Sequence, residues 1–64
     1  MQSIEIYTRP GCGYSTHIKR LLVSYGLGFI EHDVYDNPKR LQELHGRTSK
    51  RSFPQVFING TNIG

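Results

Sequence analysis

The sequence lacks the cysteines that a disulfide framework needs, because its 64 residues include only one Cys. An internal disulfide is therefore excluded, and no cluster of His and Cys has the spacing of a zinc site. Nor does any apolar run approach the roughly 20 residues of a membrane span, or the N-terminus show a signal-peptide core. We expect one cytoplasmic domain over residues 1–64 with a thin stability margin, since so short a chain buries only about 60% of its unfolded surface.

A preponderance of charge of one sign is also missing. Five Arg and three Lys stand against five acidic residues, for a net charge of +3, and the two signs are interleaved along the chain. Without a basic stripe or a recognition motif, this balance argues against nucleic-acid binding. The net positive charge is, however, compatible with a small anionic ligand.

Short β-branched and aromatic runs predict strands at residues 4–8, 29–34 and 55–58. Asn59-Gly60, after the third run, is the strongest short hairpin signal and predicts a type I′ turn into a fourth strand. The first two strands should pair in parallel through a right-handed crossover, whereas the hairpin is antiparallel. The sequence therefore predicts an α/β fold with the order βαβαββ and a mixed sheet.

Two segments have helical periodicity. The first covers about residues 13–25, and its inner face is predicted to hold Ile18, Leu21, Leu22 and Tyr25. The second begins at the capping pair Asn37-Pro38 and is predicted to end at Gly46. Its inner face is predicted to hold Leu41 and Leu44, with His45 at the margin. The polar, basic residues 47–52 are predicted to form a loop.

Cys12 lies in the sequence RPGCGYS of residues 9–15, between the first predicted strand and the first predicted helix. Backbone N–H groups at a helix N-terminus stabilise a thiolate and lower a cysteine pKa from about 8.5 into the range 3.5–7.5. A lone cysteine is more often a core residue. Here, however, its glycine, arginine and proline neighbours continue no apolar face, so Cys12 is predicted to be a nucleophilic thiol.

Four neighbours of Cys12 are weaker candidates. Ser15 stands where a CxxC motif has its second cysteine, so an external thiol must resolve a mixed disulfide; alternatively, Ser15 is an ordinary serine bonded to the helix backbone. Arg9 either binds an anionic ligand or is a surface arginine. Tyr14 either flanks a substrate or is a partly buried aromatic, and His17 receives no catalytic role.

Phe53-Pro54 precedes the third predicted strand, where proline removes a ladder hydrogen bond. A cis peptide would turn the Phe53 backbone towards a ligand, although the frequencies of X-Pro bonds favour trans. The run RSFPQVFI at residues 51–58, with residues 6–15 and the terminal Asn62-Ile63-Gly64, resembles the glutaredoxins. The resemblance covers essentially the whole chain in order.

This resemblance implies a thioredoxin-like fold and glutathione-dependent thiol-disulfide exchange. It implies glutathione and glutathionylated proteins as partners, with no nucleic acid and no membrane. Cys12 matches the family's nucleophile, and Ser15 matches the position of its resolving cysteine. The positions that match glutathione-binding residues, including the backbone beside a cis-proline, are Arg9, Tyr14, Arg51, Ser52, Phe53 and Pro54.

Ser15 departs from the dithiol pattern of the family. It marks either a natural monothiol member or a dithiol member in which Cys was replaced by Ser. Monothiol members typically have Phe where Tyr14 stands and Lys where Arg9 stands, which favours the second origin. The loop at residues 47–52 is also slightly longer than usual.

Family members continue beyond Gly64 with another glycine, an acidic pair for the γ-glutamyl end of glutathione, and a final helix. The chain thus resembles a C-terminally truncated member with the final helix missing. We expect weak glutathione affinity, marginal stability, or a dimer formed through the uncovered face.

Two rival functions remain. In the first, two chains each supply Cys12 and two glutathione thiols complete the ligands of an iron-sulfur (2Fe-2S) cluster. The small Gly13 leaves room for it beside the cysteine. In the second, the chain is an inactive fragment or interaction module. Apart from Cys12 as a cluster ligand, no metal site is expected.

Overall fold

The computed structural model describes residues 3–11 and 13–64, and its elements follow the predicted order. Three consecutive elements are strand β1 (Ile4–Thr8), helix α1 (Gly13–Ser24) and strand β2 (Ile30–Asp33). The next three are helix α2 (Pro38–Arg47), strand β3 (Gln55–Ile58) and strand β4 (Thr61–Asn62). The four strands form one sheet in the order β2-β1-β3-β4.

The sheet is mixed, as predicted. β1 pairs in parallel with β2, with Glu5 opposite Ile30, and antiparallel with β3 on its other side. β3 and β4 form the antiparallel hairpin. Its two turn residues, Asn59 and Gly60, have φ values of 51° and 83°, as a type I′ turn requires.

One apolar cluster lies between the sheet and α1. Its buried members are Ile4, Ile6 and Val56, against which Ile18, Leu22, Phe29 and Ile58 pack. Two residues predicted on the inner face of α1 are not buried: Leu21 is 40% exposed and Tyr25 is 70% exposed. Leu21 lies about 100° around the helix from Leu22, and Tyr25 follows the last residue of α1, so neither points at the sheet.

A second cluster lies between the opposite sheet face and α2. It contains Tyr7, Val34, Leu44 and Phe57, with Leu41 and Phe53 packed against it. The predicted inner positions Leu41 and Leu44 are therefore confirmed, whereas His45 is exposed. Because alternate residues of β1 point to opposite faces, this strand contributes to both clusters.

Helix α2 begins as predicted and ends later than predicted. Asn37 caps it by accepting a hydrogen bond from the Lys39 N–H at 3.2 Å. Gly46 does not terminate it, because the helix continues through Arg47, and the Thr48 N–H donates to the Leu44 carbonyl at 3.0 Å. Arg47 has side-chain partners in β1, and these tertiary contacts hold the last turn despite the glycine.

Neither helix in the described part of the chain is long and apolar enough to cross a membrane; α1, the longer, has 12 residues.

Candidate active site

The loop after β1 leads directly into α1 and contains the predicted thiol. Gly11 has φ +76°, a left-handed conformation that suits glycine, and it turns the chain between the strand and the helix. Cys12 lies outside the described residues, so its role stays a prediction. The first turn of α1, at Gly13 and onwards, carries no acidic side chain that would oppose a neighbouring thiolate.

Arg9 and Phe53 bring the two sequence motifs together. The Arg9 guanidinium carbon lies 5.2 Å from the centroid of the Phe53 ring, within the range of a cation–π contact. The Phe53-Pro54 peptide is cis. This is the cis-proline that the resemblance to the glutaredoxins implies, and not the trans bond that X-Pro frequencies alone favour.

Most of the remaining predicted glutathione-binding residues lie at the surface, and Tyr14 lines a separate shallow hollow with Gly13 and His17. Tyr14 is 77% exposed, Arg51 and Ser52 are exposed, and Pro54 is half-buried. Within the described residues, no hydrogen bond or ion pair holds the side chain of Tyr14 or Arg51. In the part of the chain that the structure describes, both side chains are therefore available to a ligand.

A chain of neutral hydrogen bonds supports the segment before Pro54. Gln55, which is fully buried, donates through Nε2 to the Ser52 carbonyl at 2.7 Å and to the Ser52 hydroxyl at 3.1 Å. Asn62 Nδ2 donates to Gln55 Oε1 at 3.0 Å, and Thr48 Oγ1 donates to Asn62 Oδ1 at 3.2 Å. Sequence reasoning missed this network; a glutamine within a buried apolar strand was the available signal.

Ser15 is buried, with 3% of its surface exposed. Its hydroxyl oxygen has no hydrogen-bond partner in the structure as described, so the alternative of a serine bonded to the helix backbone is wrong. A buried hydroxyl without a partner costs about 1–3 kcal/mol of desolvation. Position 15 therefore suits a side chain with a weaker need for hydrogen bonds.

A crevice of about 240 Å³ lies between the carboxyl ends of β1 and β2 and the start of α1. Residues lining it include Arg9, Ser15 and Lys19. Glu31 on its wall accepts hydrogen bonds from Thr8 Oγ1 at 2.7 Å and Lys19 Nζ at 2.9 Å. Both bonds lower the pKa of Glu31, and the Thr8 bond has the larger effect. Glu31 is therefore an anion near neutral pH and does not act as a proton donor there.

A second polar cluster, the Arg47 cluster, lies beside α2. Arg47 donates to Glu5 Oε1 at 3.1 Å, to Glu5 Oε2 at 3.0 Å and to the Tyr7 hydroxyl at 2.9 Å, while its guanidinium carbon lies 3.8 Å from the Phe57 ring centroid. Tyr7 donates to Glu43, and His32 lies 3.2 Å from Glu5. The cluster joins α2 to the sheet and has a structural role.

These contacts predict how stability depends on pH. Hydrogen bonding to Arg47 lowers the pKa of Glu5 from its ordinary 4.5, and the Thr8 bond lowers that of Glu31. A depressed carboxyl pKa contributes stability that is present above the unfolded value and is lost as pH falls through the folded value. We expect urea midpoints to be flat from about pH 6 to 8 and to fall below about pH 4.5. In Glu5→Gln the acid decline should be shallower; an unchanged decline would contradict the assignment to Glu5.

No group of three or more His, Cys, Asp or Glu side chains in residues 3–11 and 13–64 is arranged to hold a metal ion. The iron-sulfur alternative depends on Cys12, outside those residues, and it stays a prediction.

Comparison with known proteins places this architecture in a class. The crystal structure of a thioredoxin-like protein has a TM-score of 0.88 and 28% sequence identity, covering 95% of this chain and 84% of that chain. The crystal structure of glutaredoxin 1 from Francisella tularensis has a TM-score of 0.77 at 28% identity, covering 100% and 83%. The four-stranded mixed sheet with two helices is a thioredoxin-like fold.

The family follows from sequence. The glutaredoxin family model matches residues 4–63. A glutaredoxin from Neisseria meningitidis serogroup A is 40% identical over 65 residues, covering 100% of this chain and 76% of the relative. Glutaredoxin 3 from Escherichia coli K12 is 36% identical over 64 residues, covering 100% and 77%. The chain belongs to the glutaredoxin family, whose members are thiol-disulfide oxidoreductases that work with glutathione.

Proposed function

We propose that this chain reduces protein-glutathione mixed disulfides by a monothiol cycle in which Cys12 is the nucleophile. The contact between Arg9 and Phe53 carries this proposal. It brings the segment before the cis-proline to the loop that contains Cys12 in the sequence. A glutathione molecule bound along that segment would thus have its sulfur beside the thiol loop.

The cycle has two exchanges. The Cys12 thiolate attacks the glutathionyl sulfur, the mixed disulfide breaks, and the substrate leaves as a thiolate that takes up a proton. A glutathione thiolate then attacks the glutathionyl sulfur of the Cys12 adduct, which releases oxidised glutathione and regenerates the Cys12 thiolate. Two electrons pass to the substrate disulfide, and glutathione is the reductant. A lowered Cys12 pKa favours both steps, because it raises the thiolate fraction and improves the leaving group.

The surface around Phe53 supplies binding groups for glutathione. Arg9 and Arg51 are exposed cations suited to its carboxylates, and Tyr14 offers an exposed ring in the first turn of α1. The backbone of Phe53, together with Ser52 and Pro54, is proposed to pair with the peptide part of glutathione. The hydrogen bonds from the two arginines to the glutathione carboxylates are charge-assisted, and such bonds are about twice as strong as neutral ones.

Ser15 supports the monothiol form of the cycle. A hydroxyl cannot form a disulfide, so the Cys12 adduct must wait for an external thiol. Incubation with oxidised glutathione is expected to add one glutathione per chain, located on Cys12 by peptide mass spectrometry and removed by free glutathione. Ser15→Ala should give the same adduct. A chain that forms no adduct, or loses it without added thiol, would contradict the proposal.

A further inference from the structure

The ion pairs of the fold involve every glutamate but only three of the eight cationic side chains. All three glutamates are engaged by internal partners: Glu5 with Arg47, Glu31 with Lys19, and Glu43 with Arg40. Within residues 3–11 and 13–64, no ion pair involves the five remaining cations, which are Arg9, Arg20, Lys39, Lys50 and Arg51. The formal charge of +3 therefore arises from these five cations and the two aspartates.

Three of the five unpaired cations lie in the two segments that form the proposed site. Arg9 lies over the Phe53 ring, and Lys50 and Arg51 stand just before Phe53 in the loop between α2 and β3. The Lys50 ammonium lies 3.2 Å from the point that a Cβ on Gly64 would occupy, next to the end of β4. The other two cations are on the helices, Arg20 in α1 and Lys39 in α2.

The segment that carries Lys50, residues 49–51, is anchored at both ends; we call it the basic arm. Before it, Thr48 donates to Asn62 and accepts a hydrogen bond from the Lys50 N–H at 3.2 Å. After it, Ser52 is held by the buried Gln55. An anchored backbone loses less conformational freedom when a partner binds, so binding through this segment costs less backbone entropy.

We propose that Lys50 determines substrate specificity, by favouring glutathionylated proteins that carry acidic residues within a few positions of the modified cysteine. The inference rests on the proposed function. Arg9 and Arg51 are the cations assigned above to the carboxylates of glutathione, whereas the Lys50 ammonium has no such assignment and is available to the substrate chain. Residues two or three positions from that cysteine lie about 7–10 Å from it along an extended chain, which is the range over which Lys50 is proposed to act. Complementary charge also speeds encounter at low salt.

Two glutathionylated peptides test this proposal, one with Asp and Glu at the second and third positions from the cysteine and one with Ser there. At low ionic strength we expect kcat/KM to be about tenfold higher for the acidic peptide. The preference should disappear in Lys50→Ser, reverse in Lys50→Glu, and shrink severalfold in about 0.5 M salt. Turnover of the neutral peptide should stay unchanged in Lys50→Ser.

Lys39→Glu is the matched control, because it makes the same charge change at an exposed position of α2. It should keep the preference for the acidic peptide. Equal slowing of both peptides by Lys50→Glu would overturn the proposal and assign Lys50 to glutathione itself. If Lys39→Glu and Lys50→Glu change the preference equally, only the net charge of the protein matters, and the proposal for Lys50 is overturned. If the unaltered chain turns over neither peptide, the proposed function itself fails.

Discussion

Replacing Cys12 with alanine is expected to reduce deglutathionylation of a model protein to the uncatalysed rate. The chain has no second cysteine, so no other side chain can form the mixed disulfide through which both exchanges pass. The release of substrate thiol, followed in the presence of glutathione and glutathione reductase, measures the effect. Turnover that persists in Cys12→Ala would show that the nucleophile has been assigned wrongly.

Ser15→Ala is the matched control for this experiment. Its hydroxyl is buried without a partner in the described structure and takes no part in the cycle, so the turnover rate should be unchanged. Removing an unsatisfied hydroxyl from a helix should also raise the free energy of unfolding by about 0.5–1 kcal/mol. A large loss of activity in Ser15→Ala would contradict a purely monothiol role for the site.

Replacing Arg47 with methionine is expected to lower the free energy of unfolding by about 2 kcal/mol. Methionine keeps apolar contact with Phe57, but the Glu5 carboxylate loses both guanidinium bonds and the Tyr7 hydroxyl loses a donor. The side chains of Arg47 and Glu5 are only 25% and 22% exposed, so water replaces these bonds poorly. Urea denaturation at pH 7 measures the change, which is large for so small a domain.

Arg40→Met provides the comparison, since it breaks an ion pair with Glu43 in which both side chains are about 40% exposed. Its expected cost is much smaller, because an ion pair between two exposed side chains contributes little to stability. Arg47→Met should also raise the pKa of Glu5 towards its ordinary value and weaken the decline in stability at acid pH. Equal losses in the two arginine variants would show that burial of the Arg47 cluster contributes nothing.

Local signals were sufficient to predict the order of the elements. The alternation in β1, the Asn37-Pro38 start of α2 and the Asn59-Gly60 turn each depend on conformational preferences of neighbouring residues, and the structure has all three. The mixed sheet then follows from connection rules alone. Together with the resemblance, these signals identified the two motifs that the Arg9–Phe53 contact joins.

The features that sequence reasoning missed depend on contacts between distant segments. Gly46 predicts a helix end, but Arg47 gains partners on β1 and the helix continues. Burial of Ser15 and the network around Gln55 likewise come from the packing of α1 and the hairpin. Spacing within one segment carries no information on such partners.

The hydrogen bonds that hold the basic arm join only amides, hydroxyls and carbonyls, from Thr48 through Asn62 and Gln55 to Ser52. None of these groups gains or loses a proton between about pH 3 and 9. Acid protonates the carboxylates of the Arg47 cluster but none of the groups that make these bonds. In the folded protein we therefore expect the proposed recognition geometry to change little with pH, so that a pH profile of turnover would report the ionisation of the reacting thiols.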